Sequence, residues 1–418
     1  MRTYRELFAL PEFSALFATV SAQMAATTVS GIALGTLVYA ATGSPLLSAL
    51  SLFGASFAQV VGAATVLSAA DRLRPRSALA GLALFTGLTT ACLALPGLPV
   101  AAVFAVVLAQ GLVGSVGGGV RYGLLAEIVP TGGYLLGRSL LNMSVGAMQI
   151  CGFAIGGVLI AAITARGTLL AGAGLSLVAA LVARFGLTAR PPRAAVRPSV
   201  RETWRGNRRL WSSPARRAVF IGLWLPNGLI VGCEALFIPY SPASASVLFV
   251  AAALGMLAGD TLGGRFLPAR WRRPLTTPVQ VLLAAPYLLF VLEPAVPVAV
   301  GLVVVASVGY CGSLLLQDRL VALTPDDLRG QALGLHTSGM LTMQAVCATL
   351  AGTVAQFLAP GRAMAVLAVA SILVSLALIP GLRAPVTIVG DGGDQAGPPG
   401  GRPGDRGDAG RRPAGRTA

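Results

Sequence analysis

The sequence predicts an all-α integral membrane protein whose twelve transmembrane helices form two six-helix halves. Three observations carry this. The 418-residue chain is 55% hydrophobic and only 11% charged, whereas soluble globular domains carry charge on about a quarter of their residues. Its apolar sequence is cut into pieces of about twenty residues, the length that crosses a bilayer core. Between the two apolar regions lies one long stretch, 184–217, that cannot enter a membrane, with ten arginines set against a single acid, Glu202.

Taken in order, the spans are 13–40, 45–69, 77–95, 98–121, 134–163 and 167–186, then 218–240, 244–265, 275–292, 295–317, 330–358 and 361–382. The breaks carry turn chemistry: TGSP at 42–45, PGLP at 96–99, EP at 293–294, TPDD at 324–327 and APG at 359–361. These spans divide the chain into an N-terminal half at 1–186, a basic linker at 187–217, a C-terminal half at 218–383 and a tail at 384–418. The tail is Gly, Pro, Arg and Asp without apolar periodicity, a composition that predicts disorder. The segment from Met1 to Glu12 is charged, and the apolar run behind it is too long for a cleavable leader.

Charge sets the orientation. All 31 basic residues are arginine, and the spans place every one except Arg166 and Arg362 at the same face. Arginine excess marks the cytoplasmic side, so the linker and both termini are expected there. This distribution is that of a topology signal, and the net charge of +16 therefore gives no reason to expect a nucleic-acid partner. For the linker two readings stay open. One is a short amphipathic helix on the inner leaflet with Trp204, Leu210 and Trp211 facing lipid. The other is a solvated tether near anionic headgroups. Cys92, Cys151, Cys233, Cys311 and Cys347 all lie in apolar segments without metal-ligand spacing and read as packing residues.

The halves read as copies. Gly137-Arg138 with Gly146 recurs as Gly330-Gln331 with Gly339, and Gln149 with Gly157 recurs as Gln344 with Gly352. Parallel six-helix repeats are a transporter architecture. Two sixes of spans, the basic central loop, ADRLRPR after span 2, TGSPLLSAL and LRGQALGLHTSGMLTMQ together resemble the major facilitator superfamily, in its bacterial drug- and metabolite-efflux branch. The resemblance covers residues 5–382 and implies a bacterial plasma (inner) membrane protein that works by alternating access. The sequence departs from the pattern in several places. Leu67 and Arg74 replace signature glycines, Val107 stands where the efflux-type span 4 places an arginine, and span 5 reads Gly152-Phe153-Ala154-Ile155-Gly156-Gly157 without the signature proline.

Charged and amide side chains within a membrane are costly and mark pathways. In spans 1, 2, 4, 5, 7, 8, 10 and 11 they include Gln23, Gln110, Asn142, Gln149, Asn227, Glu234, Asp260, His336 and Gln344. Spans 3, 6, 9 and 12, which the resemblance places outside the bundle, hold only Gln280. Gln23 and Thr27 share a stripe of span 1, and Trp224, Asn227 and Glu234 share one of span 7. These residues, with Gln110, Asn142, His336 and Gln344, form the expected proton and substrate site. Glu234 is the acid least able to reach either surface. It is either a protonatable or cation-binding group or a structural carboxylate held neutral. His336, the single histidine, is either titratable or packed with one hydrogen bond. A cytoplasmic gate is expected from Asp71, Arg72, Arg76, Arg121, Glu127, Asp260 and Arg265. The resemblance implies that Asp71 caps a helix and that Glu127 pairs with an arginine when the inner side is closed. Asp260 and Arg265 are spaced for a structural ion pair.

Enzyme signatures are missing from the sequence: one histidine excludes His-pair metal sites, and a chain without lysine has no GxxxxGK[ST]. No cofactor or metal is expected. The function read from the sequence is a monomeric secondary transporter, bathed in membrane lipid, that exports amphipathic small molecules in exchange for protons. The few acids together with Trp224 and the methionines favour neutral or cationic apolar cargo. Two alternatives stay open: uptake or uncoupled facilitation of a metabolite on the same fold, and a non-transporting receptor or anchor.

Overall fold

A computed structural model describes residues 4–70, 73–130, 133–191 and 200–383. Sixteen α-helices account for most of them, joined by short turns, and no strand occurs among the described residues. Helix α1 (Tyr4–Phe8) turns into α2 (Pro11–Thr42), and Phe8 packs edge-on against Phe13 and Phe17 at 5.6 and 5.1 Å. Glycine and proline punctuate the next three helices. Gly43 closes α2 in the left-handed conformation at φ 63°, its N–H returning to Tyr39 O, a backbone state that costs glycine little. Pro45 then opens α3 (Pro45–Ala70), and Pro75 opens α4 (Pro75–Leu93). Proline suits the first helical position because the N–H it lacks would have no intrahelical partner.

After α5 (Val100–Ile128), α6 runs for 53 residues as Tyr134–Gly186. It is broken at Ile163 and Thr164, the latter at φ 72°, so it has the length of two crossings. The turn expected over 164–166 is thus a local break with no loop of its own. The amphipathic α7 (Val200–Ser212) precedes α8 (Pro214–Ala235), whose first turn is capped by the Ser213 hydroxyl. The short α9 (Phe237–Tyr240) continues that span. Helix α10 (Ala245–Thr261) ends in a wide-turn stretch at Leu262–Phe266, and α11 (Ala269–Ala284) in a tight one at Ala285–Leu292. The remaining helices are α12 (Val296–Val308), α13 (Cys311–Ala322), α14 (Arg329–Val354), α15 (Pro360–Ala377) and α16 (Ile379–Arg383).

Among the described residues, ten helical stretches are long and apolar enough to cross a membrane, the broken α6 counting as one of them. Many large apolar side chains face outward, including Phe357, Phe185 and Leu292 at 84, 81 and 75% exposure. In water that would be a liability, whereas lipid tails solvate it. The largest buried cluster joins α8, α9, α10, α11, α12, α14 and α15 around Phe237, Tyr287 and Phe290, and includes Ile32 of α2. A second core, around Phe13, Leu16, Leu124 and Leu125, ties α2, α5 and α6 together at the arginine-rich end.

The linker helix corrects one expectation. Leu210 is fully buried, and Trp211 stacks on Phe220 at 5.8 Å and approaches Trp224 at 5.7 Å, so both face protein and not lipid. Asn207 accepts from Gln331, and Arg209 pairs with Asp327 at 3.4 Å, which docks α7 on α8 and α14. Of the three residues expected on the lipid face, Trp204 alone projects outward, at 73% exposure.

Candidate functional site

The helices before the linker meet those after it at one end. Phe153 of α6 stacks on Phe249 of α10 at 4.7 Å, and Gly157 lies against Ser246 so closely that a Cβ there would overlap it. Ala49 and Phe53 of α3 pack with Ala235 and Ala348, and Gln356 donates to the Ser44 hydroxyl at 2.6 Å. Gly352 lies on the α3 backbone, and Gly35 takes the tip of Ile238. All of these residues belong to the end opposite the arginines. At the arginine-rich end, the ion pairs found among the described residues each stay on one side of the divide: Arg190–Glu12, Arg190–Glu127, Arg209–Asp327 and Arg272–Asp318. The molecule is therefore sealed between its two groups of helices at the arginine-poor end, and the inner residues of α6 and α14, such as Asn142, Met143, Leu333 and Thr337, are exposed.

Glu234 lies near the end of α8, half-buried, and its Oε1 accepts from the Tyr310 hydroxyl at 2.9 Å. The partner is positioned by a broken helix. Between α12 and α13, Gly309 approaches the α11 backbone so nearly that a Cβ would stand 2.5 Å from Leu283 N. Only glycine allows that contact, and the break turns Tyr310, 8% exposed, inward. Tyr287, fully buried, belongs to the same cluster, its hydroxyl without a partner among the described residues. The sequence reading missed Tyr310 because it counted amides and charges but not phenols; a tyrosine next to a glycine in mid-span was the available signal.

The other expected site residues fall into three places. Asn227, 7% exposed, accepts from Gln344 Nε2 at 3.2 Å, tying α8 to α14 about two turns below Glu234. Trp224 also joins those helices: its indole N–H donates to His336 O at 3.1 Å, and its ring fills the space left by Gly339. His336 is 5% exposed, its Nδ1 buried without a partner among the described residues. On α2, Gln23 is half-buried with Oε1 unpartnered among the described residues, while exposed Thr27 donates to the carbonyls of Gln23 and Met24. Gln110 turns away from these groups and donates to Thr89 and Thr90 of α4 at 2.8 and 3.1 Å. Asn142 accepts from Tyr122 at 2.8 Å.

Among the expected gate residues, Asp71 and Arg72 lie outside the described residues. Arg76 is half-buried, its Nε without a partner among the described residues. Glu127 pairs with Arg190 at 3.5 Å, an arginine from the start of the linker. Arg121 lies over the Tyr122 ring at 4.6 Å. Asp260 and Arg265 do not form the expected ion pair: Arg265 lies 5.9 Å from the Phe266 ring centroid, and the wide turn after α10 separates it from the acid. No cluster of three or more potential metal ligands occurs among the described residues.

The fold has clear counterparts among known proteins. A bacterial homologue of the human lysosomal transporter Spinster, in an inward-facing, unoccupied conformation, superposes with a TM-score of 0.68 over 91% of this chain and 97% of its own, at 13% identity. A POT family transporter in complex with 5-aminolevulinic acid gives 0.69 over 89% and 96%, at 12% identity. A variant of the nucleoside transporter NupG gives 0.71 over 88% and 99%, also at 12%. At such identities the likeness is one of fold. No curated protein matches the sequence. The sequence model of the Major Facilitator Superfamily matches residues 15–242. That match spans more than half of the chain, which therefore belongs to the major facilitator superfamily, a family of membrane transporters and not of enzymes.

Proposed function

We propose that the protein is a proton-coupled secondary transporter that exports amphipathic small molecules by alternating access, with Glu234 as the coupling carboxyl. Residues 1–186 and 218–383 act as the two moving halves, each with six crossings, and the arginine-rich end is cytoplasmic, with both termini there, in a bacterial plasma membrane. The observation that carries the reading is the Glu234–Tyr310 pair: a carboxyl within a membrane span whose hydrogen-bond partner is a phenol and not a cation. Ionising a carboxyl in such surroundings costs several kcal/mol unless water or a cation reaches it. Proton release is thereby tied to opening of the site, which couples proton movement to the conformational cycle.

The test is flux in proteoliposomes with an imposed pH difference and a panel of lipophilic compounds. Glu234→Gln keeps the volume and mimics the neutral acid. It should fold, lose the response of flux to the pH difference, and retain exchange at equal pH. Concentrative transport by the Gln variant would leave Glu234 structural. A second reading, uncoupled facilitation or uptake, has one observation in its favour. Position 107, where the efflux pattern places an arginine, is a valine 2% exposed that packs near Gly54 of α3. That reading predicts wild-type flux indifferent to the pH difference.

A further inference from the structure

The inner ends of α5 and α6 hold three side chains grouped around the ring of a fourth. Arg121 and Arg138 lie over the same Tyr122 ring, at 4.6 and 5.1 Å from its centroid. The Tyr122 hydroxyl accepts from Arg121 at 3.2 Å and donates to Asn142 Oδ1 at 2.8 Å. Arg121 Nε is buried and unpartnered among the described residues. Among the described residues no carboxylate there pairs with either guanidinium, and the nearby acid in sequence, Glu127, is held by Arg190.

The cluster faces the other group of helices. At 3.6 residues per turn, Arg138, Asn142, Gln149 and Phe153 fall within about 60° of arc on α6. Phe153 marks that face as the one turned to α10, because it stacks on Phe249. Nearer the arginine-rich end the same face carries Arg138 and Asn142, both exposed. Two guanidiniums without a carboxylate partner among the described residues, oriented by a phenol and an amide on the wall of a cleft, make a cradle for an oxyanion, since guanidinium forks match carboxylate and phosphate geometry. The wall opposite is not neutral: on α10, Asp260 shares the face of Ser246 and Phe249.

From this geometry we infer that Arg121, Tyr122, Arg138 and Asn142 form an oxyanion-binding site on the cleft wall, which takes a carboxylate, sulfonate or phosphate group of the transported molecule. The inference rests on the transporter reading for its cargo and gives that cargo an acidic head in place of the neutral or cationic one read from composition. A phospholipid headgroup offers the same chemistry, and the test separates the two sources.

The experiment uses the full chain in nanodiscs and three probes with one apolar body: naphthalene-2-sulfonate, 2-naphthylmethanol and (2-naphthylmethyl)trimethylammonium. Equilibrium binding should be saturable for the sulfonate and at least tenfold weaker for the other two. Arg121→Gln and Arg138→Gln should each weaken sulfonate binding about tenfold, Arg138→Lys should keep part of it, and Asp260→Asn should strengthen it. Arg184→Gln, an exposed residue at the same end but outside both the cluster and the gate, should leave it unchanged. Equal binding in zwitterionic discs and in discs with phosphatidylglycerol identifies cargo as the source, whereas arginine-dependent displacement by phosphatidylglycerol identifies the lipid headgroup. Binding that ignores both arginines, or that is no tighter for the sulfonate than for the alcohol, overturns the site. Because binding is read without flux, that failure leaves the transporter reading standing, and failure of proton coupling leaves the oxyanion site standing.

Discussion

Adding one methyl group at Gly352 probes the sealed end of the bundle. A Cβ at that position would lie 2.6 Å from Leu46 Cα and 3.2 Å from both Leu46 N and Pro45 O. All three are backbone atoms, so α3 has no rotamer with which to give way. Ordinary contact begins at 3.4 Å, and α14 and α3 must part by about 0.8 Å, an overpacking that costs about 1–3 kcal/mol. Alanine also gains about 0.5–1 kcal/mol over glycine within a helix. That gain is equal in every conformation of the transporter and cancels from the ratio between them. The clash exists only where α3 and α14 touch. Gly352→Ala should therefore leave overall stability nearly unchanged while shifting the balance away from the sealed form by about 5- to 150-fold. Spin labels at Ala41→Cys and Phe357→Cys, on a background without native cysteines, would report the distance between these ends. The expected result is growth of a longer-distance population. Gly334→Ala, where a Cβ meets nothing within 4 Å, is the control. An unchanged distance distribution for Gly352→Ala would refute the claim that backbone contact holds this end shut.

Three further outcomes are expected. Tyr310→Phe removes the hydrogen bond to Glu234 and should destabilise by about 1–3 kcal/mol, as an unpaired buried acceptor does; thermal unfolding in detergent measures this, and an unchanged transition would show the pair to be incidental. Gln110→Leu breaks two bonds to α4 hydroxyls and should lower stability by about 1–2 kcal/mol without changing which compounds are carried, as a flux panel would show. Trp204→Cys, on the exposed face of α7, should react with impermeant maleimide only in inside-out vesicles, and labelling of intact cells would overturn the proposed orientation.

Much of the fold was legible because lipid imposes a crude rule. A helix must be apolar for about twenty residues and must end in turn chemistry, so Gly43, Pro45, Pro75 and Pro360 fall where the sequence reading broke its spans. The break at Ile163–Thr164 falls at the boundary read between the spans 134–163 and 167–186, although no proline or glycine occupies it. Glu234 could be singled out because depth in a span follows from counting. Its partner could not, because Tyr310 lies 76 positions away and is brought to it by the approach of Gly309 to Leu283. Leu210 and Trp211 illustrate a different limit. An apolar stripe on a basic helix suits lipid and protein equally, and the choice turns on whether Phe220 and Trp224 present a matching surface. The Arg138–Tyr122–Asn142 grouping was hidden for a similar reason: Arg138 reads as one more topology-setting arginine until the faces of α5 and α6 are known.

Contacts gathered at one end turn the bundle into a pair of tongs. With arms about 30 Å long, a rotation of about 10° about the seam where Gly157, Gly352, Ala49 and Ala235 meet moves the far tips by about 5 Å, close to one helical pitch. Leverage of this kind explains why the seam is built from the smallest residues. An error of about half an ångström at 10 Å from the fulcrum becomes about 1.5 Å at the tips of arms of that length. Bulk at the seam is therefore multiplied by the length of the arm. The stacked rings of Phe153 and Phe249 lie about one turn further down the same faces, so bulk added there would be levered in the same way.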